Sequence, residues 1–213
     1  MTEETRGSPG GKAGFQMKPV AKVRMVRIIL CLVLAAGCSF SAGAAAQAGH
    51  ANVCEREMAR AAELHDVPLG ILYAVGLTET GRGDGLRPYA LNIDGHAIYD
   101  LKRDEAVAQI RRSRAQGIKL IDVGCMQINH YWHADKFRSL EDMLDPARNV
   151  AYAAAFLKQL YIREGSWVMA VARYHAGPNN DAAQKRYVCR VIDNMVATGF
   201  ADWTQSARKF CGR

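Results

Sequence analysis

Glu79 is the first place in this chain where residue type and setting suggest chemistry. It follows twelve uncharged residues, 67–78, and closes a stretch, 68–80, that carries no other charge. That stretch reads as a helix apolar on all sides, and such a helix is expected to be buried. Desolvation and the negative end of the helix dipole would then both raise the Glu79 pKa. A carboxylic acid kept protonated near neutral pH suits protonation of a leaving oxygen, as glycosidic bond cleavage requires. By position alone, Glu79 reads equally as a solvated helix-end residue or a partner of Arg82.

Other residues could contribute. His130 and His133 form an H-x-x-H pair, which makes a metal site only if further ligands converge; otherwise they are surface or loop histidines. Asp122 is either a helper carboxylate or a loop acid, and Asp94 belongs to a turn. Tyr89, Tyr99 and Trp132 could stack on sugar faces or fill core. Asn179 and Asn180 open the last helix. Cys54, Cys125, Cys189 and Cys211 are the four cysteines beyond residue 46. In an exported chain this even number implies two disulfides, with three possible connectivities. Cys189–Cys211, stapling the tail, and Cys54–Cys125 are favoured, although the sequence alone does not decide among them. No C-x-x-C pair suggests zinc.

The positioning elements are mostly helical. Residues 52–64 alternate charged and apolar positions at helical spacing. Asp66-Val67-Pro68 reads as a helix start, with Asp66 as cap and Pro68 in the first turn, and Gly81 as the stop. The β signal is two short runs, 89–93 and 96–99, flanking Asp94-Gly95, a two-residue hairpin turn. Further helices are expected over 104–116, from Asp145-Pro146 to about 163, over 167–176, and over 181–197. The fold class is mainly α, with about six helices and one small hairpin.

The 213-residue chain has a net charge of +7, of which residues 1–46 supply +4. The remainder is mildly basic and has no Lys/Arg run, which argues against nucleic acid. Residues 1–46 follow the order of a secretory signal behind an extended polar start. Lys18, Lys22, Arg24 and Arg27 precede an apolar run, 28–37, and small residues end at Ala46. That run is too short for a spanning helix of about 20 residues, so no transmembrane helix is expected in the mature protein. Translation from Met17 or Met25 would make a neater signal. The string Ala35-Ala36-Gly37-Cys38 offers an alternative, lipoprotein processing at Cys38. Otherwise the chain divides into a signal, 1–46, and one domain, 47–213.

Three ordered segments carry a resemblance: Leu77-Thr78-Glu79-Thr80-Gly81, then Val123-Gly124-Cys125-Met126-Gln127-Ile128-Asn129, then Ala172-Arg173-Tyr174-His175-Ala176-Gly177. They resemble the motifs of the family 1 lytic transglycosylases, in which Glu-Ser is followed by Gly-Leu-Met-Gln and then Ala-Tyr-Asn-Ala-Gly. The resemblance covers about residues 54–180. Its long middle span looks most like the small specialised transglycosylases of secretion systems and other envelope machines. Thr80 replaces Ser, Cys125 replaces Leu, and His175 replaces Asn. The resemblance implies a lysozyme-like α+β domain in the periplasm, acting on peptidoglycan strands without metal or cofactor. It implies that Glu79 protonates the oxygen linking N-acetylmuramic acid to N-acetylglucosamine, then serves as base for the sugar's own 6-hydroxyl. It places Thr80, Met126, Gln127, Asn129, Tyr174 and His175 along the glycan, with Tyr174 hydrogen-bonded to Glu79. A muramidase using water and an inactive glycan-binding assembly protein are the alternatives.

Overall fold

The structure is a computed structural model that describes residues 52–82, 85–177 and 179–213. The signal-like segment and Cys38 lie outside the described residues. Helix α1 (Val53–His65) starts on a capping box, in which the Asn52 side chain meets the first turn and the Glu55 carboxylate returns to the Asn52 N–H. Asp66 does not open the next helix, as the sequence suggested. It ends α1 in a left-handed conformation, φ 50°, and Pro68 becomes the N-cap of α2 (Leu69–Thr80). An Asp tolerates that conformation, and a proline at the helix start forfeits no needed hydrogen bond.

Helix α2 runs through the middle of the molecule. It packs on α1 and on α8 (Asp181–Ala197). Its Gly76 leaves no room for a Cβ beside Met58, so the two helices meet closely. The long helix α6 (Pro146–Glu164) starts on Asp145, packs on α1, and is followed by α7 (Trp167–His175), which bridges α6 and α8. The surface helix α3 (Arg103–Ala115) lies beside the short α5 (Leu140–Leu144). This α5 and two further short helices, α4 (His130–His133) and α9 (Gln205–Cys211), were not anticipated from the sequence. Apolar residues need several turns to reveal a helical spacing, and these elements have only one or two.

The hairpin forms as expected, with β1 (Leu91–Ile93) and β2 (His96–Ile98) joined by Asp94-Gly95, both at positive φ. It is half of a larger unit. Strands β3 (Ile121–Val123) and β4 (Ile128–Asn129) extend it to a four-stranded antiparallel sheet in the order β2-β1-β3-β4. Register puts Ala97, Asn92, Asp122 and Asn129 in one row across the strands. Leu91, Val123 and Ile128 form the adjacent row and are buried. Side-chain alternation thus gives the sheet one face on the core and one polar face. The domain is mainly helical with a small sheet, the lysozyme-like arrangement that the motifs implied.

Both disulfides pair as favoured: Cys54–Cys125 and Cys189–Cys211, with Cα separations of 5.8 and 5.7 Å. The first ties α1 to the loop after β3, and the second ties α9 to α8.

Candidate active site

Glu79 emerges on the last turn of α2, at the floor of a cleft of about 530 Å³. That volume lies in the usual range for small-molecule sites. The polar row of the sheet forms part of one side, and the end of α7 forms the other. Burial pushes the Glu79 carboxyl up to about 7, aided by the negative charge of Asp122. A hydrogen bond from Tyr187 and the positive charge of Arg190 pull the other way without cancelling the rise. Arg82 is not its partner; that guanidinium lies over the Tyr99 ring, 4.9 Å from its centre.

The hydroxyl that meets Glu79 belongs to a residue the sequence reading missed. Tyr187 of α8 donates to Glu79 Oε1 at 2.5 Å. Tyr174 does not hold that carboxylate; its hydroxyl donates to the Met126 carbonyl at 2.8 Å. Burial and the nearby Glu79 charge raise both phenols well above their ordinary value, so both stay donors. Tyr187 sits on the apolar face of an amphipathic helix, where it reads as core. The available signal was its hydroxyl, which a buried Tyr must satisfy.

The loop 124–127 is held from four directions. Cys54 bonds Cys125, and Thr80 Oγ1 donates to the Cys125 carbonyl at 3.0 Å. Asn149, fully buried, donates to the Val123 and Met143 carbonyls at 2.9 and 3.1 Å and accepts from the Met126 N–H at 2.9 Å. Tyr174 supplies the fourth tether. Gly124 adopts φ +79°, and a Cβ there would lie 2.8 Å from Asn149 Nδ2. Glycine is therefore needed for conformation and for space alike.

These tethers change two assignments. Thr80 is 1 % and Met126 0 % exposed. Neither side chain reaches the cleft, so the expected glycan contacts are corrected to positioning roles: the Thr80 hydroxyl and the Met126 backbone hold the loop. Gln127 does line the cleft, at φ 44°, with its Nε2 spent on the Ala90 and Gly124 carbonyls at 3.1 and 3.0 Å. Asn129 also lines it, donating to Asp122 Oδ1 at 2.7 Å. Asn92 Nδ2 takes Asp122 Oδ2 at 3.2 Å. The strand register thus brackets Asp122 between two amides. Burial nevertheless leaves its pKa above the ordinary carboxylate value.

Tyr174 and His175 border the cleft, as do Tyr99, His133, Phe156 and Arg173. His175 stacks on Tyr187 with ring centres 4.2 Å apart. Burial, Arg190 and Arg186 lower its pKa, which favours the neutral ring. Trp132 is 66 % exposed at the rim, packed edge-on against Tyr131. Tyr89 instead packs on the core. The His133 ring meets the Tyr152 hydroxyl at 2.7 Å. Among the described residues, no three His, Cys, Asp or Glu side chains are placed to hold a metal ion. Asn92 Oδ1 and Arg173 Nη1 are buried without a hydrogen-bond partner among the described residues. Both belong to residues lining the cleft.

A lysozyme-like helical domain with a buried carboxyl raised to about 7, and a second raised carboxyl beside it in an open cleft, is a glycan-cleaving type of site. The family profile described as the transglycosylase SLT domain matches residues 85–194. The chain belongs to that family, whose chemistry is lytic transglycosylase-type cleavage of peptidoglycan glycan strands. The matched stretch contains Gln127, Tyr174 and Tyr187, whereas Glu79 and Thr80 precede it. Neither characterised protein sequences nor solved structures give a match to the chain. No described helix is long and apolar enough to cross a membrane.

Proposed function

We propose that the protein is an active peptidoglycan lytic transglycosylase in which Glu79 acts alternately as acid and base. The observation that carries this reading is the Glu79 carboxyl, raised to about 7, hydrogen-bonded by Tyr187 and bordering the cleft. Glu79 gives its proton to the glycosidic oxygen as the bond from C1 of N-acetylmuramic acid breaks. The carboxylate so formed takes the proton of that sugar's 6-hydroxyl, O6 bonds to C1, and a 1,6-anhydro ring results with Glu79 reprotonated. The substrate's N-acetyl oxygen shelters the charge at C1, a role that a second carboxylate fills in ordinary retaining glycosidases. Gln127, Asn129, Tyr174 and His175 border the strand. Trp132 and Tyr99 offer sugar-stacking faces.

Asp122 favours a second reading, since a carboxylate in the same cleft suits activation of water and a hydrolytic, muramidase outcome. The signal-like order of residues 17–46 supports export to the periplasm, with lipoprotein processing at Cys38 as the variant form. The long span between Glu79 and Met126, with its hairpin, supports assignment to the small specialised enzymes, recruited by an envelope machine such as a secretion or flagellar apparatus.

Clearing of purified cell wall, with the products weighed by mass spectrometry, tests this reading. Replacing a general acid costs about 100- to 10,000-fold, so Glu79→Gln should clear the wall at least 100-fold more slowly. Anhydro ends are expected in the wild-type products. Products heavier by one water would establish the muramidase instead, and no clearing by either protein would establish an inactive glycan-binding protein.

A further inference from the structure

A second groove, of about 540 Å³, adjoins the catalytic cleft. His175 borders both, so this ring and Tyr187, on which it stacks, form the partition between them. The groove is lined by Lys185, Arg186 and Arg190 of α8 and by Arg213, with Asp193 as the acid among them. Arg213 is engaged with Asp193 at 2.6 Å. Lys185, Arg186 and Arg190 are all exposed and project from one stretch of α8. Of these three charges only that of Arg190 acts on Glu79; Arg186 reaches no further than the His175 ring, and Lys185 acts on neither.

The substrate brings the matching charge. Each N-acetylmuramic acid carries on its lactyl group a short peptide with free carboxylates. When that sugar lies over Glu79, its peptide must leave the cleft alongside the reacting ring. We propose that the groove beyond His175 is the subsite for this stem peptide, with Lys185, Arg186 and Arg190 binding its carboxylates. This inference rests on the peptidoglycan reading of the cleft. Arginine is suited to the task because its fork pairs with a carboxylate through two parallel hydrogen bonds. The replacement of the family's Asn by His175 also gains a purpose: a flat, neutral ring walls the sugar from the charged peptide path.

The test compares wild type with Lys185→Glu/Arg186→Glu, two exposed positions outside the catalytic machinery. Substrates are intact sacculi and glycan strands stripped of peptides by an amidase. The variant should cleave sacculi about 10-fold more slowly, with the loss fading at high salt because exposed charges are screened, and cleave stripped strands at the wild-type rate. Equal loss on both substrates, or no loss on either, would overturn the subsite. A companion titration follows binding of a stem tripeptide to Glu79→Gln protein with and without the two changes, with thermal melting as the folding control. It is expected to show about 10-fold weaker binding. Should the wild type cleave neither substrate, the catalytic reading fails while this titration still decides the subsite. Unchanged tripeptide binding assigns the basic surface to another partner, such as an acidic protein, and overturns the proposal.

Discussion

On one wall of the cleft, residues 124–129, most of the polar atoms turn inward and are satisfied by the protein. On the opposite wall, where α7 ends and α8 begins, Tyr187 turns its hydroxyl to Glu79, and Tyr174 reaches across to the first wall. The first wall is cross-linked by Cys54–Cys125, clamped by Asn149 and roofed by Tyr174. The second is held more lightly, by Gln184 Nε2 donating to the Gly177 carbonyl at 2.8 Å and by the stack of His175 on Tyr187. The first wall fixes a surface for the glycan, and the second tunes the acid. A rigid wall costs buried hydrogen bonds and a disulfide; a tuning wall needs only one well-aimed hydroxyl and a few charges.

The sharpest way to break that contrast is to remove each disulfide in turn. Cys54 and Cys125 are 71 residues apart, whereas Cys189 and Cys211 are 22 apart. Loop entropy predicts losses of about 4 and about 3 kcal/mol for the paired serine variants, read by denaturant unfolding. The first pair should also slow wall clearing, because the Thr80 contact to the Cys125 carbonyl depends on the same loop. Equal clearing by both variants would remove the distinction between the walls.

Asn149→Ala comes next. It leaves the Val123 and Met143 carbonyls and the Met126 N–H without their partner. A loss of about 3 kcal/mol is expected, since a buried group left unsatisfied costs about 1–3 kcal/mol and some of these will find water. The unfolding midpoint checks it, and a loss under about 1 kcal/mol would mean the loop does not rely on this clamp.

Glu79→Gln should gain stability while losing activity. The folded carboxyl titrates near 7, above its ordinary value of 4.5. Between those values the folded state holds a proton that the unfolded chain has lost, so wild-type stability falls as pH rises through 7. The Gln variant lacks this decline and should be about 1–3 kcal/mol more stable relative to wild type at pH 8 than at pH 4. A difference independent of pH would show that the carboxyl is not desolvated.

The smallest effect is expected from Tyr187→Phe. Its hydrogen bond lowers the Glu79 pKa, so removing it should carry the alkaline limb of the activity profile upward by about one pH unit. Tyr174→Phe should leave that limb in place, because Tyr174 bonds a backbone carbonyl instead. A shift of equal size in both variants would erase the difference in their roles.

Several features were legible in the sequence because local pattern determines them. Residues 68–80 carry no charge but Glu79, and they form the buried helix α2 from Leu69. Asp145-Pro146 opens α6, and Asp94-Gly95 turns the hairpin. The order of the motif segments pointed to the family. Asp66 was misread because a helix cap and a left-handed helix end favour the same short polar side chain. Strands β3 and β4 are too short to show a period, and the polar row they complete exists only through pairing with β1.

The sequence alone thus determined that an acid ends an apolar helix and that Asp94-Gly95 turns a hairpin, since neighbouring residues set such features through helix, turn and charge preferences. Only tertiary structure decided which hydroxyl meets that acid. Tyr187 lies 108 residues from Glu79, and Asn149 lies 23 from the N–H it accepts. Partners so distant are selected by how helices pack, and no local preference encodes that.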